Sequence, residues 1–271
     1  MNTKRNPGIR LLETPSGSQI AYQAERRRRP AYTESGVFWL GGFKSSMDGA
    51  KAAALAQWSR ANGHECVRFD YSGHGASSGR FEDGTISLWL EEAAAVFDEI
   101  TTGSQILIGS SMGGWLALLL LRRHLAHGPT GDSRVRAVIL LAPAVDMTER
   151  LMWDGFSDAI KHEIMETGAY NRPSAYDDGP YPITRKLIED GRNHLILDQS
   201  IEVPCPVRIL QGLKDPDVPW RHAVDLAEAL NGDDITVTLI KDGDHRLSED
   251  RDILRLVRTV DALAALVDKK I

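Results

Sequence analysis

Gln105-Ile106-Leu107-Ile108-Gly109-Ser110-Ser111-Met112-Gly113-Gly114-Trp115 carries an apolar run into a Gly-x-Ser-x-Gly pattern and on into the apolar stretch 115–121. Strand, tight turn and helix in that order hold a central serine in a strained backbone, with its oxygen raised above the strand ends. The flanking glycines leave room for close backbone and helix packing. A second match, Gly75-Ala76-Ser77-Ser78-Gly79, lacks this context, because Arg80-Phe81-Glu82-Asp83-Gly84 follows it and no helix opens there. Ser111 is therefore the candidate nucleophile, and Ser77 reads as loop structure.

Outward from this turn the chain alternates short apolar runs with longer helical stretches. The runs lie at 37–40, 66–69, 106–108, 135–141, 207–210 and 235–240, and the helical patterns near 47–61, 85–100, 112–126, 219–230 and 248–268. Apolar runs without polar alternation are what parallel strands covered on both faces require. The fold class is thus α/β, with a mostly parallel central sheet flanked by helices. Two alternating segments, 10–14 and 19–24, flank Pro15-Ser16-Gly17-Ser18 and predict a hairpin at the start. Arg26-Arg27-Arg28-Arg29 before Pro30 reads as a solvated loop.

One stretch breaks the rhythm. No strand candidate lies between Ala144 and Pro204, but aromatics, prolines and glycines gather there, among them Trp153, Phe156, Tyr170, Tyr176 and Tyr181. Such an insertion is too long for a plain connection. It predicts a helical cap over 145–204, with 1–144 and 205–271 forming the core. Trp153, Phe156 and Tyr181 are candidate substrate-binding residues of that cap, by analogy with apolar pocket linings.

Composition narrows the partners. The chain has 271 residues, with 32 Lys and Arg against 38 Asp and Glu for a net charge of −6, so nothing electrostatic points to nucleic acid. Two cysteines, Cys66 and Cys205, exclude a disulfide framework and suit a reducing compartment, so the expected location is cytoplasmic. The longest apolar run, 115–121, is too short to span a bilayer, and the opening MNTKRNPGIR has no apolar h-region. The expected partner is a small-molecule or acylated substrate; oligomeric state is not legible.

A serine hydroxyl needs a base to take its proton. In this architecture the chain order is Ser, then Asp or Glu, then His, each on a loop after a strand. His245, in Asp242-Gly243-Asp244-His245 after the last strand, is the candidate base. Asp215, in Gly212-Leu213-Lys214-Asp215, is the candidate acid; Asp217 competes, but it leads into a helix where it could serve as a cap. The oxyanion hole needs two backbone donors. Met112 N–H supplies one, and Phe43 N–H in Gly41-Gly42-Phe43-Lys44 the other, with Gly42 in reserve. His74 reads as a bystander near the strand ends. No metal or organic cofactor is expected, because the histidines show no paired His-x-x-x-His spacing.

These stretches, with Gly63-His64-Glu65-Cys66-Val67-Arg68-Phe69-Asp70-Tyr71-Ser72-Gly73, Val218-Pro219-Trp220 and Asp244-His245-Arg246, resemble the serine hydrolases of the α/β-hydrolase superfamily over nearly the whole chain. Within it they are similar to a thioesterase branch that also cleaves acyl-glucuronides. The resemblance implies a triad of Ser111, Asp215 and His245, and cleavage of acyl thioesters or carboxylic esters through an acyl-enzyme. A general carboxylesterase or lipase, or an acyl-glucuronide esterase, is the alternative activity. A non-catalytic binding protein of this fold is expected to lack a triad member, and none is missing here. Dehalogenases and epoxide hydrolases place an aspartate where Ser111 stands.

Overall fold

Every residue of strands β3 (Gly36–Leu40), β4 (Cys66–Phe69) and β5 (Gln105–Ser110) is buried, as strands covered on both faces must be. In the computed structural model, which describes residues 8–26, 34–127, 133–173 and 179–269, alternate side chains of each strand enter opposite layers. Phe38 and Leu40 pack with Trp89, Trp115 and Leu116; Val37 and Trp39 pack with Leu55, Ile106 and Leu256. The first group of helices is α2 (Ile86–Ile100) and α3 (Met112–His127); the second is α1 (Ala50–Asn62) and α7 (Asp250–Asp268). A sheet sandwiched between helices follows directly from that two-sided burial.

With β1 (Arg10–Glu13), β2 (Gln19–Glu25), β6 (Val135–Leu141), β10 (Val207–Gly212) and β12 (Ile235–Ile240), the sheet has eight strands in the order β1-β2-β4-β3-β5-β6-β10-β12. β1, β2 and β4 pair antiparallel, and all remaining neighbours pair parallel. The opening hairpin forms where the sequence predicts it, with Gly17 at φ 81° in the turn. The arginine run falls within 27–33, apart from Arg26, and so lies outside the described residues.

The segment between β6 and β10 corrects the expectation of an all-helical insertion without strands. It holds a π-helix (Met147–Trp153), α4 (Asp158–Thr167), an antiparallel hairpin of β7 (Ala169–Arg172) and β8 (Tyr181–Thr184), and α5 (Arg185–Gly191). β9 (Ile201–Glu202) then pairs with β11 (Leu230–Asn231), which follows α6 (Trp220–Ala229). The hairpin strands have four residues each and Pro182 lies in one of them, so neither shows the alternation or composition of a sheet strand. Tyr176 lies outside the described residues. Asp146, fully buried at φ 54°, accepts the amides of Ile196 at 2.9 Å and Leu197 at 3.0 Å and so clamps the start of the segment to its return. Ser87 on α2 joins it to the sheet layer, with its amide donating to Asp190 at 2.8 Å and its hydroxyl 2.7 Å from His194 Nε2.

Gly113 sits where β3 meets α3, and a Cβ there would fall 2.1 Å from the Leu40 carbonyl oxygen and 2.5 Å from that of Gly41. Both atoms are backbone and cannot swing aside. Gly113→Ala should therefore cost about 3 kcal/mol or more in urea unfolding. Gly49→Ala, whose Cβ meets nothing nearer than 3.5 Å, should cost under about 1 kcal/mol. Equal costs at the two positions would remove the steric explanation.

Candidate active site

The turn between β5 and α3 places Ser111 at φ 54°, a left-handed conformation costly for a residue with a side chain. Hydrogen bonds from neighbouring strand ends hold it there: Ser111 N–H donates to Leu141 O at 2.9 Å, and Ser111 O accepts from Gly114 and Ala144 at 2.9 and 3.1 Å. A Cβ on Gly109 would strike the Gly113 carbonyl at 2.2 Å, so both glycines of the pattern serve close packing in the turn.

His245 arrives from the loop after β12. Its Nε2 lies 3.1 Å from Ser111 Oγ, across 134 residues of chain, and its Nδ1 lies 2.9 Å from Asp215 Oδ2. The Asp215 side chain is fully buried, and four donors surround its carboxylate. Oδ2 also accepts from Gln211 Nε2 at 3.0 Å, while Oδ1 accepts the amides of Asp217 and Val218 at 2.9 and 2.8 Å. The loops carrying the acid and the histidine brace each other through Lys214 N–H on Gly243 O at 2.9 Å. Lys51 from α1 donates to the carbonyl of Arg246, beside His245, and burial lowers its ammonium pKa to about 8. Asp217 contributes its amide to Asp215, and its side chain lines the adjoining cleft.

Asp215, Asp217 and His245 also form the one group of three His, Cys, Asp or Glu side chains, among the described residues, whose ligand atoms converge within 4.8 Å. The hydrogen bonds just given occupy the Asp215 oxygens and both His245 nitrogens.

Met112 opens α3, where the first amides of a helix have no partner within the helix. Phe43 lies in the loop after β3, and that loop comes close to the turn: a Cβ on Gly42 would stand 3.3 Å from Ser111 Cβ. The loop is fixed at both sides. Ser45 Oγ donates to Gly42 O at 2.7 Å, and Lys44 N–H, at φ 58°, donates to His74 Nε2 at 3.1 Å. His74, read from the sequence as a bystander, thus positions the loop, and its Nδ1 lies 3.0 Å from Ser72 O. Ser77 is tied on both sides as well, accepting from Ala21 N–H at 2.8 Å and donating to Asp70 O at 2.6 Å.

A cleft of about 480 Å³ opens over Ser111 and His245. Gly42, Phe43 and Tyr181 line it, together with Met147, Leu151 and Met152 of the π-helix. Trp153 and Phe156 do not. The Trp153 ring is held between cations, 5.6 Å from Lys161 Nζ and 5.0 Å from the Arg192 guanidinium, and Phe156 packs on Tyr170 at 5.9 Å. Sequence reading also missed Lys44, Lys51 and Arg172. The position of Lys44 in the loop that follows a strand end was an available signal; Arg172, inside the insertion, had none.

Strand order and the strained serine turn between β5 and α3 are those of the α/β-hydrolase fold. The sequence profile of the serine aminopeptidase S33 hydrolase family matches residues 36–175, and the chain belongs to that family. It is 34% identical over 261 residues to the human mitochondrial palmitoyl-protein thioesterase ABHD10, covering 96% of this chain and 81% of the relative. The solved structure of the mouse α/β-hydrolase domain-containing protein 10 superposes with a TM-score of 0.83 at 33% identity, covering 97% of this chain and 99% of the other. An Agrobacterium vitis S4 protein, solved as a candidate hydrolase, gives 0.89 at 41% identity, covering 94% of this chain and 98% of the other. Among the described residues no helix is long and apolar enough to cross a membrane.

Burial pushes the His74 imidazole from 6.5 down to about 4. Between those values the unfolded chain binds a proton that the folded protein does not, so stability is fully present above pH 6.5 and falls as pH drops toward 4. The loss is on the order of 3 kcal/mol. His74→Gln keeps an acceptor for Lys44 N–H but does not titrate. In urea unfolding at pH 7.5 and 4.5, the wild type should lose about 2–3 kcal/mol more than the variant on acidification. Identical losses would show that His74 is not held neutral.

Proposed function

We propose that this hydrolase of ester and thioester bonds works by two-step acyl transfer, with Ser111 as nucleophile, His245 as base and Asp215 as its orienting acid. The observation that carries the reading is the continuous hydrogen-bond chain from Ser111 Oγ through His245 to Asp215. His245 Nε2 takes the hydroxyl proton as Ser111 attacks the carbonyl, and Asp215 holds the tautomer with its proton on Nδ1. Met112 and Phe43 N–H donate to the oxyanion. His245 then protonates the leaving thiolate or alkoxide, and water repeats the sequence on the acyl-enzyme.

Residues 145–204 act in this reading as a cap, whose Met147, Leu151 and Met152 offer the acyl chain an apolar wall. The names of the mammalian relatives, palmitoyl-protein thioesterases, support a substrate with an acyl thioester and an extended acyl group. Both cysteines are free thiols, as a reducing compartment such as the cytoplasm would keep them; those relatives are named as mitochondrial.

A fluorophosphonate probe should label the wild type once, and Ser111→Ala should abolish labelling while folded Ser77→Ala keeps it. Asp215→Asn should lower kcat by about three to four orders of magnitude, and Asp217→Asn by less than about tenfold. Reversal of the two aspartate effects would transfer the orienting role to Asp217.

In a p-nitrophenyl series from acetate to octanoate, kcat/KM should climb by up to about fourfold per added methylene, the equivalent of about 0.8 kcal/mol of apolar burial. A flat or falling series would remove the acyl chain from the Met147–Leu151–Met152 wall.

A further inference from the structure

The cleft over Ser111 is lined by four cations, Lys44, Lys51, Arg172 and Arg246, against one carboxylate, Asp217. With His245 neutral the lining carries +3, in a chain whose net charge is −6. A concave site of one sign within a body of the other concentrates ligands of the body's own sign at that site. Two of the four cations stand apart from structural duties. Lys51 is engaged by the loop that carries His245, and Arg246 belongs to that loop. Lys44 and Arg172 are half-buried, and among the described residues neither forms an ion pair. With no carboxylate among the described residues within ion-pair distance of either, both cations are available to an anion in the cleft.

Their placement is also fixed. Lys44 leaves a backbone held at φ 58° by the His74 hydrogen bond, and its ammonium lies 4.9 Å from the centroid of the Tyr181 ring. Arg172 is the direct cross-strand partner of Tyr181 in the β7–β8 hairpin, so the two side chains share one face. Burial raises the Tyr181 phenol pKa; the positive charge of Arg172 opposes that rise and the Asp217 carboxylate adds to it. Phe43 packs on the same ring at 5.8 Å and carries the amide offered to the oxyanion. Lys44, Tyr181 and Arg172 thus form a bracket beside the reacting carbonyl, one cation from the loop after β3 and the other from the insertion.

We propose that Lys44 and Arg172 form a recognition site for an anionic group, carboxylate or phosphate, carried by the substrate near the bond that is cleaved. The proposal rests on the acyl-transfer reading of Ser111. An anion seated there draws the insertion and the β3 loop toward one ligand, so the same contact that selects the substrate also fixes the oxyanion loop against it.

The test compares substrate pairs that differ in one charged group. Mono-p-nitrophenyl adipate against p-nitrophenyl hexanoate places a carboxylate on the acyl side; S-butyryl-3-mercaptopropionate against S-butyryl-3-mercaptopropanamide places one on the leaving side. The quantity read is the ratio of kcat/KM, charged over neutral, within each pair. In Lys44→Gln/Arg172→Gln the ratio should fall at least about tenfold in one pair, and that pair identifies the side. The charge-keeping Lys44→Arg/Arg172→Lys should stay within about threefold of the wild-type ratio, and raising salt from about 0.05 to 0.5 M should shrink the wild-type ratio. Unchanged ratios in both pairs for the glutamine variant, or an equal fall in the charge-keeping variant, would overturn the anion site. Ser111→Ala checks the underlying reading separately: neutral esters still cleaved at the wild-type rate would defeat acyl transfer at Ser111, whatever the ratios show.

Discussion

Ser111 can stand at φ 54° only because the backbone around it leaves no alternative. Left-handed geometry at a residue with a Cβ costs about 1–3 kcal/mol and survives where surrounding structure over-determines it. Here β6 supplies the constraint through Leu141 O and the Ala144 amide, while α3 presses so closely on β3 that only glycine fits at position 113. That contact sets the distance between the helix start and the loop carrying Phe43. The two candidate oxyanion donors therefore owe their spacing to a single backbone packing point, and the strain on the serine and the shape of the hole have one cause.

Behind this point lies a polar layer that carries no chemistry itself. Asp70 at the end of β4 accepts the amides of Met47 at 2.6 Å and Ala76 at 2.8 Å, and burial raises its carboxyl pKa. The loop 70–79 is thereby anchored to the segment leading into α1, while Ser77 and Ser78 fasten it to β2. His74 projects from that loop to the Lys44 amide. A serine pattern that mimics the one at Ser111 in sequence thus belongs to the scaffold that holds the Lys44 loop in place.

The sheet was legible because its strands, buried on both faces, are apolar without interruption, and because glycine-bounded turns separate them from amphipathic helices. Ser111 stood out because its match, of the two in the sequence, sits between such a strand and such a helix. His245 and Asp215 followed from strand order, and the structure brings both within hydrogen-bond reach of the path to Ser111. The insertion was not legible. Its hairpin strands are too short to show a period, and the side chains of Trp153 and Phe156 found cations and another ring rather than the cleft. Lys44 and Arg172 meet across the fold at Tyr181, a proximity that depends on docking and leaves no trace in either local sequence.

The clamp at Asp146 reaches beyond stability. One carboxylate gathers amides 50 and 51 residues further along, so the chain between them is a closed loop whose ends are secured from outside the sheet. The entropic cost of closing such a loop grows only with the logarithm of its length. Exposed positions between the anchor points can change in length at small cost to closure, while Ile164, Ile183, Leu187 and Ile188, buried in the core, and the Ser87 contacts tie the rest of the segment to the sheet layer. The insertion is in this sense a handle with one fixed side: its exposed turns are free to vary, while its buried side is part of the core it grew from.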